Sequence, residues 1–502
     1  MPSIYDLPSE VLATIFKALP LEERHQSIPL VCRRWNQLCT SAPQLLHSIG
    51  FTVPGSEHGV GRLTAFCTWL LQHGPGRVQR LSLEALVPET TAPEALWHHL
   101  HVALAAAVSA CGAGGPLCAL RLHGLCGLPS MWVQAMSGLR KLGFAAQPLA
   151  NSWRPVQIWR PAPISLAALQ LLALSGIELT IDTPLPATLT RLHLSFEPSL
   201  DDAPLPAQMT ALTRLHTLCL KLAGADLSAL ASLARLRRLA LIDCAAWLAC
   251  LSQLKLEALV LKNDSGYVED DQAATAAAGA VLQRGALTHL VLSEVRPNID
   301  LRAQLAALRG LRTFAWAHAF QNLALGPWAG SLERLVTSAT DAAGLLDVMS
   351  TVAPRLAVLG VYCAADDAAK LLPRLPSLAL GLPGLCHLVL AARGPVFGSL
   401  TPALLAAQRA TPRLRIDCIA TADDVPGAYA AWDALLTAVC CGPGHEATTA
   451  EAFLAEAGPL RIYNQNLLSP TQPPLCPFMC CPNSPQVLPC NPIFSSTPSL
   501  LF

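Results

Sequence analysis

The chain of 502 residues carries no formal net charge at pH 7, with only 14% charged and 52% hydrophobic residues. So long a chain exceeds one compact core and divides into several units or a repeat array. The composition excludes a disordered protein and a generally basic nucleic-acid binder. No window of about 18 residues is apolar and free of Pro, Gly clusters or charge, so no membrane span is expected. Asp6 and Glu10 interrupt any secretory signal. The 18 cysteines are scattered without a CxxC pair. They are expected as reduced thiols in a cytoplasmic or nuclear protein.

The first fifty residues read Leu7-Pro8-Ser9-Glu10-Val11-Leu12-Ala13-Thr14-Ile15-Phe16, then a helical run, then Pro29-Leu30-Val31-Cys32-Arg33-Arg34-Trp35. Pro8 suits a first helical turn, where its missing N–H has no intrahelical partner. Glu10 sits near the positive end of that helix dipole. Val11, Leu12, Ile15, Phe16 and Leu19 form one apolar stripe. Pro20 ends the helix, a second short helix is expected from Leu21 toward Ser27, and Pro29 breaks it. A third starts near Val31, with Trp35 and Leu38 on its apolar side. Leu45, Leu46 and Ile49 extend the apolar surface.

This pattern resembles an F-box, a short helical module that joins a substrate receptor to a Skp-type adaptor of a cullin–RING ubiquitin ligase. The resemblance implies that Leu7, Pro8, Ile15, Phe16, Leu19, Val31, Cys32 and Trp35 lie at the adaptor surface or support it. It departs from the family at His25 and Gln26, where apolar residues are common, and at Leu45-Leu46, where a Leu-Trp pair is common. A module of this size holds no large core of its own. Some apolar side chains therefore wait for a partner, each contributing roughly 1.5–3 kcal/mol when newly buried, before association costs.

Residues 51–76 read as a connector with one helix, Leu63 to Gln72. From 77 to 426 the pattern apolar-x-x-apolar-x-apolar recurs. Its thirteen onsets are Val78, Leu117, Leu139, Leu166, Leu189, Leu215, Leu236, Leu256, Leu287, Leu311, Leu332, Leu356 and Leu385, about 26 residues apart on average. The period and core are similar to those of leucine-rich repeats, which run roughly 20–29 residues. The expected fold class is an α/β repeat: a three-helix F-box, then an irregular solenoid with a strand and a helix per coil, lining a horseshoe. Return segments Asp226 to Leu233 and Leu301 to Leu308 have helical spacing. An irregular all-helical array is the alternative. The family's Asn after the strand is mostly replaced by Ala, Leu or Thr, so its side-chain ladder is largely missing. Inserted loops are expected at 87–116, 264–286 and from 391 onward.

Side chains between the inward leucines face away from the coil interior. The second position after each onset reads Arg80, Ala119, Lys141, Ala168, Arg191, Thr217, Arg238, Ala258, His289, Thr313, Arg334, Val358 and His387. The fourth and sixth positions add Arg121, Lys221 and Lys262, and the one acid is Glu84. Arg80, Arg121, Lys141, Arg191, Lys221, Arg238, Lys262 and Arg334 are the candidate contacts to an acidic or phosphorylated target. The plainer reading is a solvated sheet face. In the C-terminal half, Val291, Val336, Val358, Val389 and Tyr362 make the face apolar.

Residues 427–461 carry amphipathic helices, Tyr429 to Val439 and Ala450 to Ala457, that suit a cap. Residues 462–502 hold no charge and nine prolines, which reads as an irregular tail. Glu94, His98 and His101 stack at a zinc-compatible spacing, but no HExxH exists, and Trp97 and Leu100 fit a plain amphipathic helix. Cys476, Cys480, Cys481 and Cys490 match no strong metal site. Gly112 to Gly115 lack the Lys-Ser or Lys-Thr of a phosphate loop, and no G-x-S-x-G appears. Neither a cofactor nor intrinsic catalysis is expected. The leading reading is a receptor subunit of an SCF-type ubiquitin ligase, with a Skp-type adaptor, and through it a cullin, as partners. The runner-up is a ligase-independent scaffold.

Overall fold

The structure, a computed structural model, describes residues 4–17, 19, 24, 27–53, 57–85, 94–112, 115–123, 138–145, 166–175, 185–195, 207–221, 227–242, 251, 253–262, 287–293, 305, 306, 308–319, 326–339, 341–375, 381–393, 402, 406, 407, 409–411 and 413–421. These divide into two compact units, the first ending at Leu215 and the second starting at His216.

The first unit opens with a helical module. A 3-10 turn at Ile4–Asp6 precedes α1 (Ser9–Lys17). A second turn at Ile28–Leu30 leads through extended Cys32 into α2 (Arg33–Ser41), followed by α3 (Pro43–Leu46). Pro8 closes the first turn of α1 by accepting from the N–H groups of Val11 and Leu12. Leu12, Ala13, Phe16, Trp35, Cys39, Ala42 and Leu45 form the module's core. Of the second helix expected from 21 to 27, only Arg24 and Ser27 are described; His25 and Gln26 lie outside the described residues.

Six strands follow: β1 (Ser48–Val53), β2 (Arg80–Ala85), β3 (Ala119–His123), β4 (Lys141–Ala145), β5 (Leu171–Ser175) and β6 (Arg191–Ser195). Each pairs in parallel with its chain neighbour. Parallel neighbours require a return segment. Two returns are the helices α4 (Glu57–His73) and α5 (Glu94–Gly112). The expected loop at 87–116 therefore holds a helix of 19 residues. Its C-terminal half is anchored by buried Leu104, Ala107, Val108 and Cys111. Gly76 turns the chain into β2 with φ 72°, a conformation that suits glycine.

The second unit repeats the scheme with nine strands: β7 (Thr217–Lys221), β8 (Arg238–Ile242), β9 (Ala258–Lys262), β10 (His289–Ser293), β11 (Thr313–Ala319), β12 (Arg334–Ser338), β13 (Val358–Tyr362), β14 (His387–Arg393) and β15 (Arg415–Thr421). They too form one parallel ladder in chain order. The helices α6 (Ala342–Val352) and α7 (Ala365–Leu371) supply two returns. Asp341 caps α6 by accepting from the Gly344 N–H at 2.8 Å.

Three features differ from the sequence expectation. First, the ladder holds β1 and β15 in addition to the strands of the thirteen onsets. Ser48–Val53 alternates Ile, Phe and Val with small or polar residues, and β15 has exposed Arg413 where an onset leucine would stand. Second, the fourth coil starts at Leu169, not Leu166. Both leucines are buried, but the Leu169 N–H closes a turn onto the Leu166 carbonyl. The strand residue in register with Lys141 is therefore Leu171, not Ala168. Third, the return segment from Asp226 to Leu233 contains a 3-10 turn, Ser228–Ser232, rather than a helix. Of Leu301 to Leu308, only 305, 306 and 308 are described. Repeats of about 21 residues are at the short end of the leucine-rich range and leave little room for a helix.

The strand entries are tied together by main-chain bonds. Within each unit, the N–H groups of two successive residues entering a strand donate to one carbonyl of the preceding coil. Gln79 and Arg80 donate to His47, Cys118 and Ala119 to Gln79, and Arg140 and Lys141 to Cys118. The second unit continues it with Arg237 and Arg238 on His216, and Glu333 and Arg334 on Arg312. These bonds satisfy strand-start donors without any side chain.

The expected insertions at 264–286 and after 393, the helices at 429–439 and 450–457, and the tail 462–502 lie outside the described residues, apart from the few positions given above.

Candidate functional site: an apolar helical face and a basic sheet row

The helical module sorts its apolar stripe into two faces. Leu12, Ala13 and Phe16 of α1 point inward, while Val11 and Ile15, one turn apart, face solvent. Trp35 of α2 is 7% exposed, packs edge-on against Phe16 at 5.0 Å and stacks on Tyr5 at 5.8 Å. Arg34 ties the chain start to α2: its guanidinium donates to the carbonyls of Tyr5 and Leu7 and to Ser9 Oγ. Arg24 is buried and donates to the carbonyls of Lys17, Leu19 and Leu45. Burial pulls its pKa down from the ordinary value, and the nearby Cys39 opposes this.

The module exposes an unusual number of large apolar side chains. Ile4, Tyr5, Val11, Ile15, Leu30 and Val31 are 41–85% exposed, Leu30 the most. Only Leu71, Val102 and Val348 among the other described residues are large, apolar and comparably exposed. Six of the nine such side chains therefore fall within residues 4–31, a concentration that isolated exposed apolar residues would not produce.

The eight expected adaptor residues divide accordingly. Pro8, Ile15 and Val31 are exposed; Leu7, Leu19 and Cys32 are half-buried; Phe16 and Trp35 belong to the module core. Ile4, Tyr5 and Leu30 were not singled out from sequence. A run of exposed apolar residues in short turns has no helical period to reveal it.

On the ladders, each strand places three side chains on the face opposite the leucine core. In the first unit the register aligns Arg80, Ala119, Lys141, Leu171 and Arg191 in one row at the start of β2–β6. Arg80 is exposed, and Lys141 and Arg191 are half-buried. The Lys141 pKa is held below its ordinary value, first by burial and then by Arg80 and Arg191; Cys118 acts the other way. Lys141 therefore stands within the field of the cation on either side of it in the row.

Arg121 and Lys262 are almost fully buried, so two expected contacts lie deep in the face. Lys221, Arg238 and Arg334 are half-buried in the second unit. The expected apolar half of that face is also enclosed. Val291, Val336 and Val389 join Cys219, Ala240, Ala258, Val260, Ala315 and Ala391 in a second buried cluster, with Val358 and Tyr362 partly buried against it.

Buried His193 is held neutral, its pKa pushed down to about 3 by desolvation. For His123, burial and Arg121 lower the value to about 4, although Glu84 lies 3.5 Å from its Nδ1 and favours the charged form.

No group of three or more potential metal ligands occurs among the described residues. Glu94, His98 and His101 lie on α5 in its undescribed side-chain portion. The described cysteines are free thiols. Burial raises Cys67 and Cys111 to about 11, and burial with Asp367 raises Cys363 to about 12. Such thiols are poor nucleophiles. Among the described residues, no helix is long and apolar enough to cross a membrane.

Residues 4–52 match the F-box-like family, a family whose domains generally bind Skp-type adaptors. The match ends within β1, so it covers the helical module and the start of the ladder. No curated protein matches the chain. An internalin from Listeria monocytogenes is a similar solved structure, at 12% identity and a TM-score of 0.29, covering 84% of this chain and 99% of that one. The repeat architecture rests on the strand register rather than on that likeness.

Proposed function

We propose that the chain is the substrate-recognition subunit of an SCF-type (Skp–cullin–F-box) ubiquitin ligase in the cytoplasm or nucleus. The helical module docks on a Skp-type adaptor and, through it, a cullin. The repeat array holds a target protein with acidic or phosphorylated side chains. Bond-making belongs to the partner enzymes, and this chain supplies proximity.

The observation that carries the reading is the concentration of exposed apolar side chains, Ile4, Tyr5, Val11, Ile15, Leu30 and Val31, inside the F-box-like segment. Burying it against an adaptor removes apolar area from water that the module cannot cover itself.

The test is capture of a purified Skp-type adaptor by the full chain. The wild type is expected to retain it, and Ile15→Asp with Leu30→Asp to lose it while circular dichroism stays unchanged. A wild-type chain that captures no adaptor leaves the ligase-independent scaffold as the reading.

A further inference from the structure

The register shows a pattern inside the basic row. In the first unit, cations stand on alternate strands: Arg80 on β2, Lys141 on β4 and Arg191 on β6. Ala119 and Leu171 fill the strands between. The one acid on this face of the described first unit, Glu84, lies at the far end of β2 beside His123. Along the row, then, charge and no charge alternate with a period of two strands.

That period has a length. Neighbouring strands lie about 4.8 Å apart, so alternate strands are about 9.6 Å apart. A ligand lying along the row must present anions at that repeat on one side. An extended β-strand does not, because residues three apart point to opposite faces. A polyproline II helix does. It has three residues per turn and rises about 3.1 Å per residue, so every third side chain recurs on one edge at about 9.3 Å. The mismatch over two steps is about 0.6 Å, within the reach of Arg and Lys side chains.

We propose that the row Arg80–Lys141–Arg191 is a docking site for an acidic polyproline II segment of a partner protein, with a carboxylate at every third residue. Charge complementarity selects the anion, and spacing selects the helix type. The row lies at the strand starts, where Arg80 is exposed and Lys141 half-buried, while the middle of the face is closed at Gly143 and His193. The segment therefore runs along the rim rather than down the centre. The binding-competent segment is stiff beforehand, so little ordering entropy opposes association.

The inference rests on the array being the target-binding end of the proposed receptor. Adaptor capture probes the other end, so either can fail alone.

Three fluorescein-labelled nonapeptides test it against the full chain by anisotropy at low salt. One contains three Glu-Pro-Pro triplets. The second has the same composition with the glutamates in one block. The third contains three Gln-Pro-Pro triplets. The periodic peptide is expected to bind about tenfold tighter than the block, and the neutral one not at all. Lys141→Gln and, separately, exposed Arg80→Gln are expected each to erase most of that preference, and Lys141→Arg to keep it. Equal binding of periodic and block peptides overturns the proposal, as does no binding of either or a preference that survives both Gln variants.

Discussion

The helical module and the strand ladders solve the same problem, covering apolar side chains, in opposite ways. Each coil of a ladder buries its leucines against the next coil, and Leu81, Leu120, Leu142, Leu172 and Leu192 end at most 2% exposed. The module has no such neighbour on its outer side, and Leu30 stays 85% exposed. Repetition lets the array close on itself, whereas a unit of a few turns cannot. The difference teaches that apolar side chains are left uncovered at the helices, whereas the strands leave mainly charge at their edge.

The strongest way to break this contrast is Trp35→Ala. Trp35 packs against Phe16 in the module core and carries Tyr5 stacked on it, so truncation is expected to cost about 3–5 kcal/mol. Denaturant unfolding is expected to show loss of the module with the ladders still folded. Arg24→Ala removes three hydrogen bonds from a buried guanidinium to main-chain carbonyls, with an expected cost of about 2–3 kcal/mol. Leu30→Asp separates docking from folding. Adaptor capture is expected to fall by at least about tenfold while the unfolding midpoint stays unchanged.

A pH titration probes the first ladder. The pKa of His193 is about 3 in the fold against about 6.5 unfolded. Below 6.5 the unfolded chain binds the extra proton, so stability is lost as pH falls from 6.5 toward 3, on the order of 1 kcal/mol per unit. His193→Gln is expected to reduce that slope in chemical unfolding followed at several pH values, leaving the part that His123, lowered to about 4, contributes with the same sign. The smallest effect is expected from Arg374→Ala. Its pair with Asp347 is short, 2.7 Å, but both side chains are about half exposed. The change in stability is expected within about 0.5 kcal/mol.

Much of the architecture was legible in the chain. The onsets from Val78 to Leu385 mark strands at the expected places except Leu166, because an apolar residue every coil is what a parallel ladder requires. The exception is instructive. Leu166, Leu169, Leu171 and Leu172 give two phases of the same pattern, and only the hydrogen bonds of Gln170 and Leu171 to the Arg140 carbonyl select one. β15 was missed because its coil has Arg413 in place of the onset leucine; β1 was missed although Leu46-His47-Ser48-Ile49-Gly50-Phe51 carries the signature, because Leu46 and Ile49 also continue the apolar surface of the helical module. At the site, α1 was legible as a stripe, but a stripe does not say which edge a neighbouring helix covers. Phe16 went inside against Trp35, and Ile15, its neighbour, stayed outside.

The sequence by itself determined the order of parts: a short helical module with an F-box-like pattern, then coils of leucine-rich type, then an uncharged tail. Local spacing suffices for that, since turn residues and apolar period act over a few residues. The tertiary structure alone decided which apolar side chains face solvent and which cations share a row. Both depend on contacts between residues far apart in the chain. Arg80, Lys141 and Arg191 lie more than a hundred residues apart end to end, and only the pairing of β2 through β6 places them at one repeat.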